Sequence, residues 1–194
     1  METASFWFTE WIWWDFRVAV VLTVVVPIGL LVWSYVTRHR PVQDLLIIYW
    51  KVASLLAITV YLMIGGIPVG FLSGAAARAA IPTALWFWPL LTLEISETPG
   101  LLSRLFLGWR WLVSVYMGVG LLFSLAFAPC AFQTPISAEC RAWWDPPLAY
   151  RDIFHPTVSK ELLGFVGVIG LSIYVLYSLY FLWRYGREQA KEKS

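Results

Sequence analysis

Long apolar segments alternate with short polar links along almost the whole chain. A helix that crosses a membrane needs about 20 mainly apolar residues to traverse a hydrocarbon core of roughly 30 Å. Four segments meet this requirement: residues 18–36, 45–65, 109–128 and 162–183. The pattern therefore predicts an all-α protein, in which transmembrane helices pack as a polytopic bundle and residues 1–194 form a single membrane domain.

A fifth segment, residues 66–94, is apolar throughout but is interrupted by Arg78 and by the prolines Pro68, Pro82 and Pro89. If it crosses the membrane, Arg78 lies near the centre, where a cation is costly unless it finds a partner or reaches water. If it does not cross, it forms a re-entrant or interfacial element.

The basic residues favour a crossing. Cytoplasmic links and tails carry an excess of Lys and Arg, and such residues cluster after the first segment and in the tail 184–194. Only an even number of crossings between the clusters puts both on one side. Five spans in total place nine basic residues inside and five outside, whereas four spans place six inside and eight outside. The nine are Arg38, Arg40, Lys51, Arg104, Arg110, Arg184, Arg187, Lys191 and Lys193. We therefore expect five spans, the third short and broken by proline, with the N-terminus outside and the C-terminus inside.

The composition agrees with a membrane protein. Hydrophobic residues make up 60% of the chain and charged residues 13%, against about 25% charged in soluble domains. The net charge of +2 is too small to indicate nucleic-acid binding. The Trp-rich residues 1–17 have no basic leader and no cleavage site of a secretory signal, so we expect them to remain at the membrane surface. Lys51, near the start of the second segment, is expected to reach the head groups.

The link at residues 129–160 falls outside in this topology and contains both cysteines. Disulfides persist outside the cytoplasm, so we expect Cys130 and Cys140 to be bridged. Trp143 and Trp144 give the link a large aromatic surface, which fits two alternatives equally: docking of a partner protein, or simple anchoring at the lipid interface.

No catalytic motif is recognisable, and the four clear segments contain no His, Asp or Glu. We therefore expect no catalytic residues, no metal site and no enzyme activity. His39 and His155 are candidates as individual ligands of a chlorophyll magnesium, and the alternative is that each is a polar residue of a link. Glu94 and Glu97 are candidate counter-charges for Arg104 or Arg110, or part of a solvated interface.

Small residues at helical spacing indicate close helix packing. Gly66, Gly70 and Gly74 are four apart, and Gly164 begins a second series with Gly167 and Gly170. Packing within the chain and packing against another subunit both fit. Arg78 has no acid among its helix neighbours, so we expect lipid head groups, carbonyls freed near Pro82, or an acid of a partner chain to receive it.

The chain resembles a family of small polytopic membrane proteins of cyanobacteria that have no known function. The resemblance rests on the segments IIYWKVASLLAITVYLMIGGIPVGFLSGAAARAAIPTALWFWPLL, WRWLVSVYMGVG, RAWWDPP with its cysteine loop, FHP and GFVGVIGLSIYVLYSLYF. It implies an oxygenic photosynthetic host and a thylakoid membrane, or else the plasma membrane, with the outer face in the lumen. In such a host, chlorophyll or carotenoid are the pigments that could be bound.

Three functions follow as hypotheses. The first is a non-enzymatic accessory, assembly or peripheral subunit of a larger membrane complex, such as a photosystem, with Arg78, the Gly66 series and the two loop tryptophans contacting partner or lipid. The second is a small transporter or channel built around the broken segment 66–94. The third, an enzyme that handles pigment or quinone, has no specific support.

Overall fold

The structure, a computed structural model, describes residues 9–98 and 100–192, with side chains to residue 187. It is built of helices, and the described residues contain no strand. Helix α1 (Thr9–Val20) continues through a π turn (Val21–Val25) into α2 (Val26–Val36). Helix α3 (Arg40–Ile64), α4 (Val69–Trp86), α5 (Pro89–Glu97) and α6 (Leu101–Ala126) follow. A cap then contains 3₁₀ turns at Ala128–Phe132 and Ala142–Trp144 with α7 (Ala138–Arg141) and α8 (Asp145–Phe154), before α9 (Lys160–Glu192).

The four predicted spans are confirmed as helices long and apolar enough to cross a membrane: Thr9–Val36, Arg40–Ile64, Leu101–Ala126 and Lys160–Arg187. The broken fifth segment is α4 followed by α5, which are bent by 58° relative to each other. The number of spans is therefore four, or five if the bent pair counts as one. Part of the predicted interfacial segment, residues 1–8, and the end of the basic tail lie outside the described residues.

The first span begins nine residues earlier than residue 18, where the apolar run starts. Its early turns contain Asp15 and Arg17, which end an apolar window but do not end the helix. Arg40 likewise opens α3 five residues before the predicted start. As a result Lys51 lies about 16 Å along the helix axis from Arg40, at 1.5 Å per residue. Lys51 therefore lies near the middle of α3 rather than near its start.

The bundle has two ends, which can be told apart by the elements that meet at each. Helix α1 contacts the cap, at the Ala142–Trp144 turn and α8. We call this the cap end. The other end, the link end, carries the connection between α2 and α3, and there Phe87 after α4 contacts Tyr185 of α9. The N-terminal end of α1 and the cap thus share one side of the bundle, and the C-terminal half of α9 reaches the other.

The π turn before Pro27 shows how the sequence holds the first span in place. Pro27 has no N–H, so the carbonyl of Thr23 lacks its helical donor. In the π turn the N–H of Val26 bonds Val21, which leaves the carbonyl of Leu22 free as well. Tyr49 of α3 donates to the Thr23 carbonyl at 2.7 Å, and Trp109 of α6 donates to the Leu22 carbonyl at 2.8 Å. Two buried side chains therefore replace the missing backbone donors.

The main core lies around these bonds, between α2, α3, α4 and α6. Its fully buried members include Val42, Leu45, Tyr49, Ile81, Leu85, Phe106 and Val113. Tyr49 and Trp109 also meet edge to face, with ring centroids 5.2 Å apart.

Glycines bring α9 against α3 at the cap end. A Cβ on Gly164 would lie 2.8 Å from Gly65 Cα, and a Cβ on Gly167 would lie 2.9 Å from the Leu62 nitrogen. These distances leave no room for any side chain, so the backbones touch. The glycine series of the last span therefore packs within the chain rather than against another subunit.

The series in α4 also packs within the chain. A Cβ on Gly70 would lie 3.2 Å from Met63 Cγ, and one on Gly74 would lie 3.3 Å from a methyl of Thr59. Gly66 adopts a left-handed φ of +65° in the turn between α3 and α4 and lies under the Trp144 ring. These three glycines therefore pack against α3 and the cap of the same chain, and their contact with a partner or lipid stays a prediction.

Candidate functional site

A buried ionic cluster joins three helices near the cap end. Arg78 of α4 is 9% exposed and its guanidinium faces the carboxylate of Asp15 on α1. Nη1 lies 3.2 Å from Oδ1, and Nη2 bonds Oδ2. Tyr116 of α6 donates its hydroxyl to the Asp15 side chain and lies 2.7 Å from both Oδ1 and the Asp15 carbonyl. The cluster thus satisfies both charges inside the bundle.

Gly120 makes room for this arrangement. It lies on α6 one turn beyond Tyr116, and a Cβ there would overlap Nη1 of Arg78 and lie 3.0 Å from its Cζ. The expectation that head groups, carbonyls near Pro82 or a partner chain receive Arg78 is therefore wrong. Its partner comes from the same chain, 63 residues earlier.

A second arginine is less exposed than Arg78 and forms no ion pair with an acid among the described residues. Arg110 of α6 is 1% exposed. Its Nη1 donates to Thr92 Oγ1 of α5 at 2.9 Å, and its Cζ lies 3.8 Å from the centroid of the Trp86 ring at the end of α4. Its Nε is buried without a hydrogen-bond partner. The Trp86 indole in turn donates to Ser114 Oγ at 2.9 Å.

The acids suggested for this arginine lie elsewhere. Glu94 and Glu97 are exposed on α5, and neither forms an ion pair with Arg104 or Arg110 in the described part of the chain. A polar hydroxyl and an aromatic face therefore replace the predicted counter-charges.

A third charge lies on the outside of the bundle. Asp44, Lys51, Ile58 and Gly65 are seven residues apart, so they share one face of α3. Ile58 and Gly65 contact α9 on this face, but Asp44 and Lys51 are exposed, as are Ile47 and Ser54 beside them. Towards the link end this face of α3 is therefore exposed. We call these exposed residues the Lys51 stripe: Asp44, Ile47, Lys51 and Ser54.

The cap is closed by the predicted bridge. Cys130 and Cys140 are disulfide-bonded, with their Cα atoms 5.8 Å apart. Trp143 packs against Phe71 of α4 and the Phe123 and Phe127 rings, so with the disulfide it covers the end of the bundle. Both loop tryptophans are half-buried and contact their own chain, and the apolar cap residues that face outward are instead Phe132, Ile153 and Phe154.

The two histidines lie at opposite ends of the bundle, as predicted. His39 Nε2 is 3.1 Å from Ser103 Oγ at the link end. His155 Nε2 is 3.2 Å from the Tyr61 hydroxyl at the cap end, beside Tyr150. Burial raises the pKa of the Tyr150 phenol, which stays neutral at physiological pH. Within residues 9–98 and 100–192, no group of three metal-ligating side chains comes together.

Comparison with known protein families shows which family the chain belongs to. A family model described as a protein of unknown function, DUF3177, matches residues 9–190. The chain belongs to the DUF3177 family. The matched range includes the ionic cluster, Arg110, the Lys51 stripe and the disulfide cap, so all of these are parts of the DUF3177 domain. No curated protein and no solved structure matches the chain.

Sequence reasoning identified Arg78, the disulfide and the cap tryptophans, but it missed Asp15, Tyr116 and the burial of Arg110. The sequence did contain a signal for the ion pair. Asp15 lies just before the apolar segment 18–36, and Arg78 lies inside the apolar segment 66–94. Two lone opposite charges at comparable depth in helices of one bundle favour each other, because each is costly alone in hydrocarbon.

Proposed function

We propose that this DUF3177 protein is a non-enzymatic accessory, assembly or peripheral subunit of a larger membrane protein complex. The observation that carries the proposal is the Lys51 stripe. Lys51 is exposed near the middle of a membrane-spanning helix and has no ion-pair partner in the described part of the chain. A cation facing hydrocarbon at that depth is costly, and an acid or hydroxyl on a partner helix packed on this face of α3 would remove the cost.

The proposed membrane is the thylakoid, or the plasma membrane, of a cyanobacterium, and the proposed complex is a photosystem or a related assembly. The resemblance described for the sequence supports this host. A bridged cysteine pair fits an oxidising compartment at the cap end, which supports the N-terminus and cap outside and the C-terminus inside. We propose no resident cofactor. A chlorophyll on His39 or His155 would have to displace a hydroxyl already at each Nε2.

The test compares two charge deletions after mild-detergent extraction of the tagged protein from its native membrane. The wild-type chain is expected to co-migrate with a large complex. Lys51→Leu is expected to insert as well as the wild type but to lose co-migration, because the partner's polar group then faces leucine. Arg104→Leu removes an exposed charge from another helix, and this variant is expected to co-migrate with the complex like the wild type. A wild-type chain that migrates alone, or Lys51→Leu that still co-migrates, would refute the proposal.

The second candidate is a transporter or channel built around residues 66–94. The 58° bend between α4 and α5 favours it, since discontinuous membrane helices form substrate sites in many transporters. Solute flux into liposomes that contain the purified protein, compared with protein-free liposomes, tests this candidate directly.

A further inference from the structure

The break between α4 and α5 brings two positive features together. The first turn of α5 has two free backbone N–H groups, those of Leu90 and Leu91, because neither has a helical acceptor and Trp88 supplies no side-chain cap; Pro89 has no N–H. The N-terminus of a helix carries a partial positive charge. Arg110 bonds Thr92 in this same turn, so its full positive charge lies beside the positive end of the helix.

No acid balances these charges in the described residues. Glu94 and Glu97 are exposed further along α5, and the other arginine of α6, Arg104, is also exposed. The carbonyls at the end of α4 reach the same break, but Arg110 makes no hydrogen bond to them in the described chain; its one acceptor is Thr92. A guanidinium that is 1% exposed with an unpartnered Nε needs explaining, since buried charges are almost always paired.

We propose that Arg110 and the first turn of α5 form a binding site for an oxyanion, such as a phosphate group. The planar fork of arginine suits bidentate binding of phosphate and carboxylate, and helix N-termini bind the same groups through backbone N–H. An anion here neutralises the arginine and the helix end together. Its source is either the head group of an anionic lipid or a free anion from the aqueous side at the link end.

Trp86 covers this site. Its ring lies on the guanidinium at 3.8 Å, yet 40% of the residue is exposed, so it separates Arg110 from the surroundings. Its position is fixed by the hydrogen bond to Ser114 and by the edge of Trp111, whose ring centroid is 4.6 Å away. Rotation of one surface side chain therefore opens the arginine to an anion. This inference is independent of the Lys51 stripe, which lies on α3.

The test measures the unfolding midpoint of the whole protein, purified in a detergent without phospholipid. One arm titrates inorganic phosphate against chloride at constant ionic strength. The other adds phosphatidylglycerol, with an uncharged glycolipid as the control. A ligand at a hundred times its Kd is expected to raise the midpoint by about 5–10 °C for a chain of this size. A response to phosphatidylglycerol alone identifies a lipid head group, and a response to both identifies a site open to free anions.

Variants connect the response to the site. Arg110→Gln is expected to weaken binding at least about tenfold, and Thr92→Val, which removes the group that orients the guanidinium, about two- to tenfold. Arg104→Gln is the matched control and is expected to bind like the wild type. Trp86→Phe keeps a ring but loses the bond to Ser114, so the site opens more easily and affinity is expected to rise.

The outcomes are distinct even if Arg110→Gln does not fold. Thr92→Val and Trp86→Phe must then shift the Kd in opposite directions. Equal anion responses in the wild type and Arg110→Gln would overturn the proposal, as would an absence of response to both ligands in the wild type. Unchanged affinity in both Thr92→Val and Trp86→Phe would also overturn it.

Discussion

Gly120→Ala tests whether the ionic cluster stabilises the bundle, because the new methyl group would occupy the position of the Arg78 guanidinium. A Cβ at this position overlaps Nη1 and lies 3.0 Å from Cζ. Arg78 must therefore move and give up at least one of its two bonds to Asp15. Gly118 provides the matched control on the same helix, since a Cβ there meets nothing within 4 Å.

The magnitude follows from two opposing effects. Alanine in place of glycine within a helix stabilises by roughly 0.5–1 kcal/mol, and both variants gain this. A lost hydrogen bond to a charged group costs about 1.5–3 kcal/mol, and only Gly120→Ala is expected to lose one. Gly118→Ala should therefore be slightly more stable than the wild type. Gly120→Ala should be less stable than Gly118→Ala by about 1.5–3 kcal/mol.

The free energy of unfolding of the two variants can be measured in mixed micelles by titration with a denaturing detergent. The same pair of substitutions is then made in an Arg78→Leu background, where no guanidinium remains to be displaced. There the difference between Gly120→Ala and Gly118→Ala should disappear. Equal stability of the two variants in the wild-type background would show that the cluster adjusts at no cost, and the reasoning would fail.

Three further predictions concern the cluster, the cap and the topology. Arg78→Leu leaves Asp15 buried without its partner and should cost about 3–5 kcal/mol of unfolding free energy; adding Asp15→Leu should recover much of this loss, and no recovery would argue against the pair. Cys130→Ser should lower the stability of the cap by about 2–3 kcal/mol in the chain-entropy view, measured by protease resistance under non-reducing conditions, with identical resistance as the contrary result. Ser194→Cys should be labelled in sealed vesicles from the side opposite to a reporter in the cap, and labelling of both from one side would contradict the crossing by α9 that the predicted topology requires.

The apolar runs were enough to predict the helices, because a membrane helix must satisfy its own backbone and its length is set by the bilayer. They could not predict where α1 begins. Asp15 ends an apolar window, yet it is helical, because a partner from α4 neutralises it. The partner lies 63 residues away, beyond any local pattern.

The glycine series shows a related difficulty. Spacing predicts that a helix face allows close approach, but the same face serves a neighbour in the chain or in another subunit equally well. Here Gly65 and Gly164 meet each other, a pairing that depends on how α3 and α9 come together. The disulfide was easier to predict, since only two cysteines exist and they lie in one short link.

The pairing of Asp15 with Arg78 also sets an order for biogenesis. The acid is synthesised 63 residues before the arginine, which corresponds to roughly 3–13 s at translation rates of 5–20 residues per second. During this interval the first helix carries a carboxylate with no cation to meet it. The two charges can therefore neutralise each other only after α4 has been synthesised.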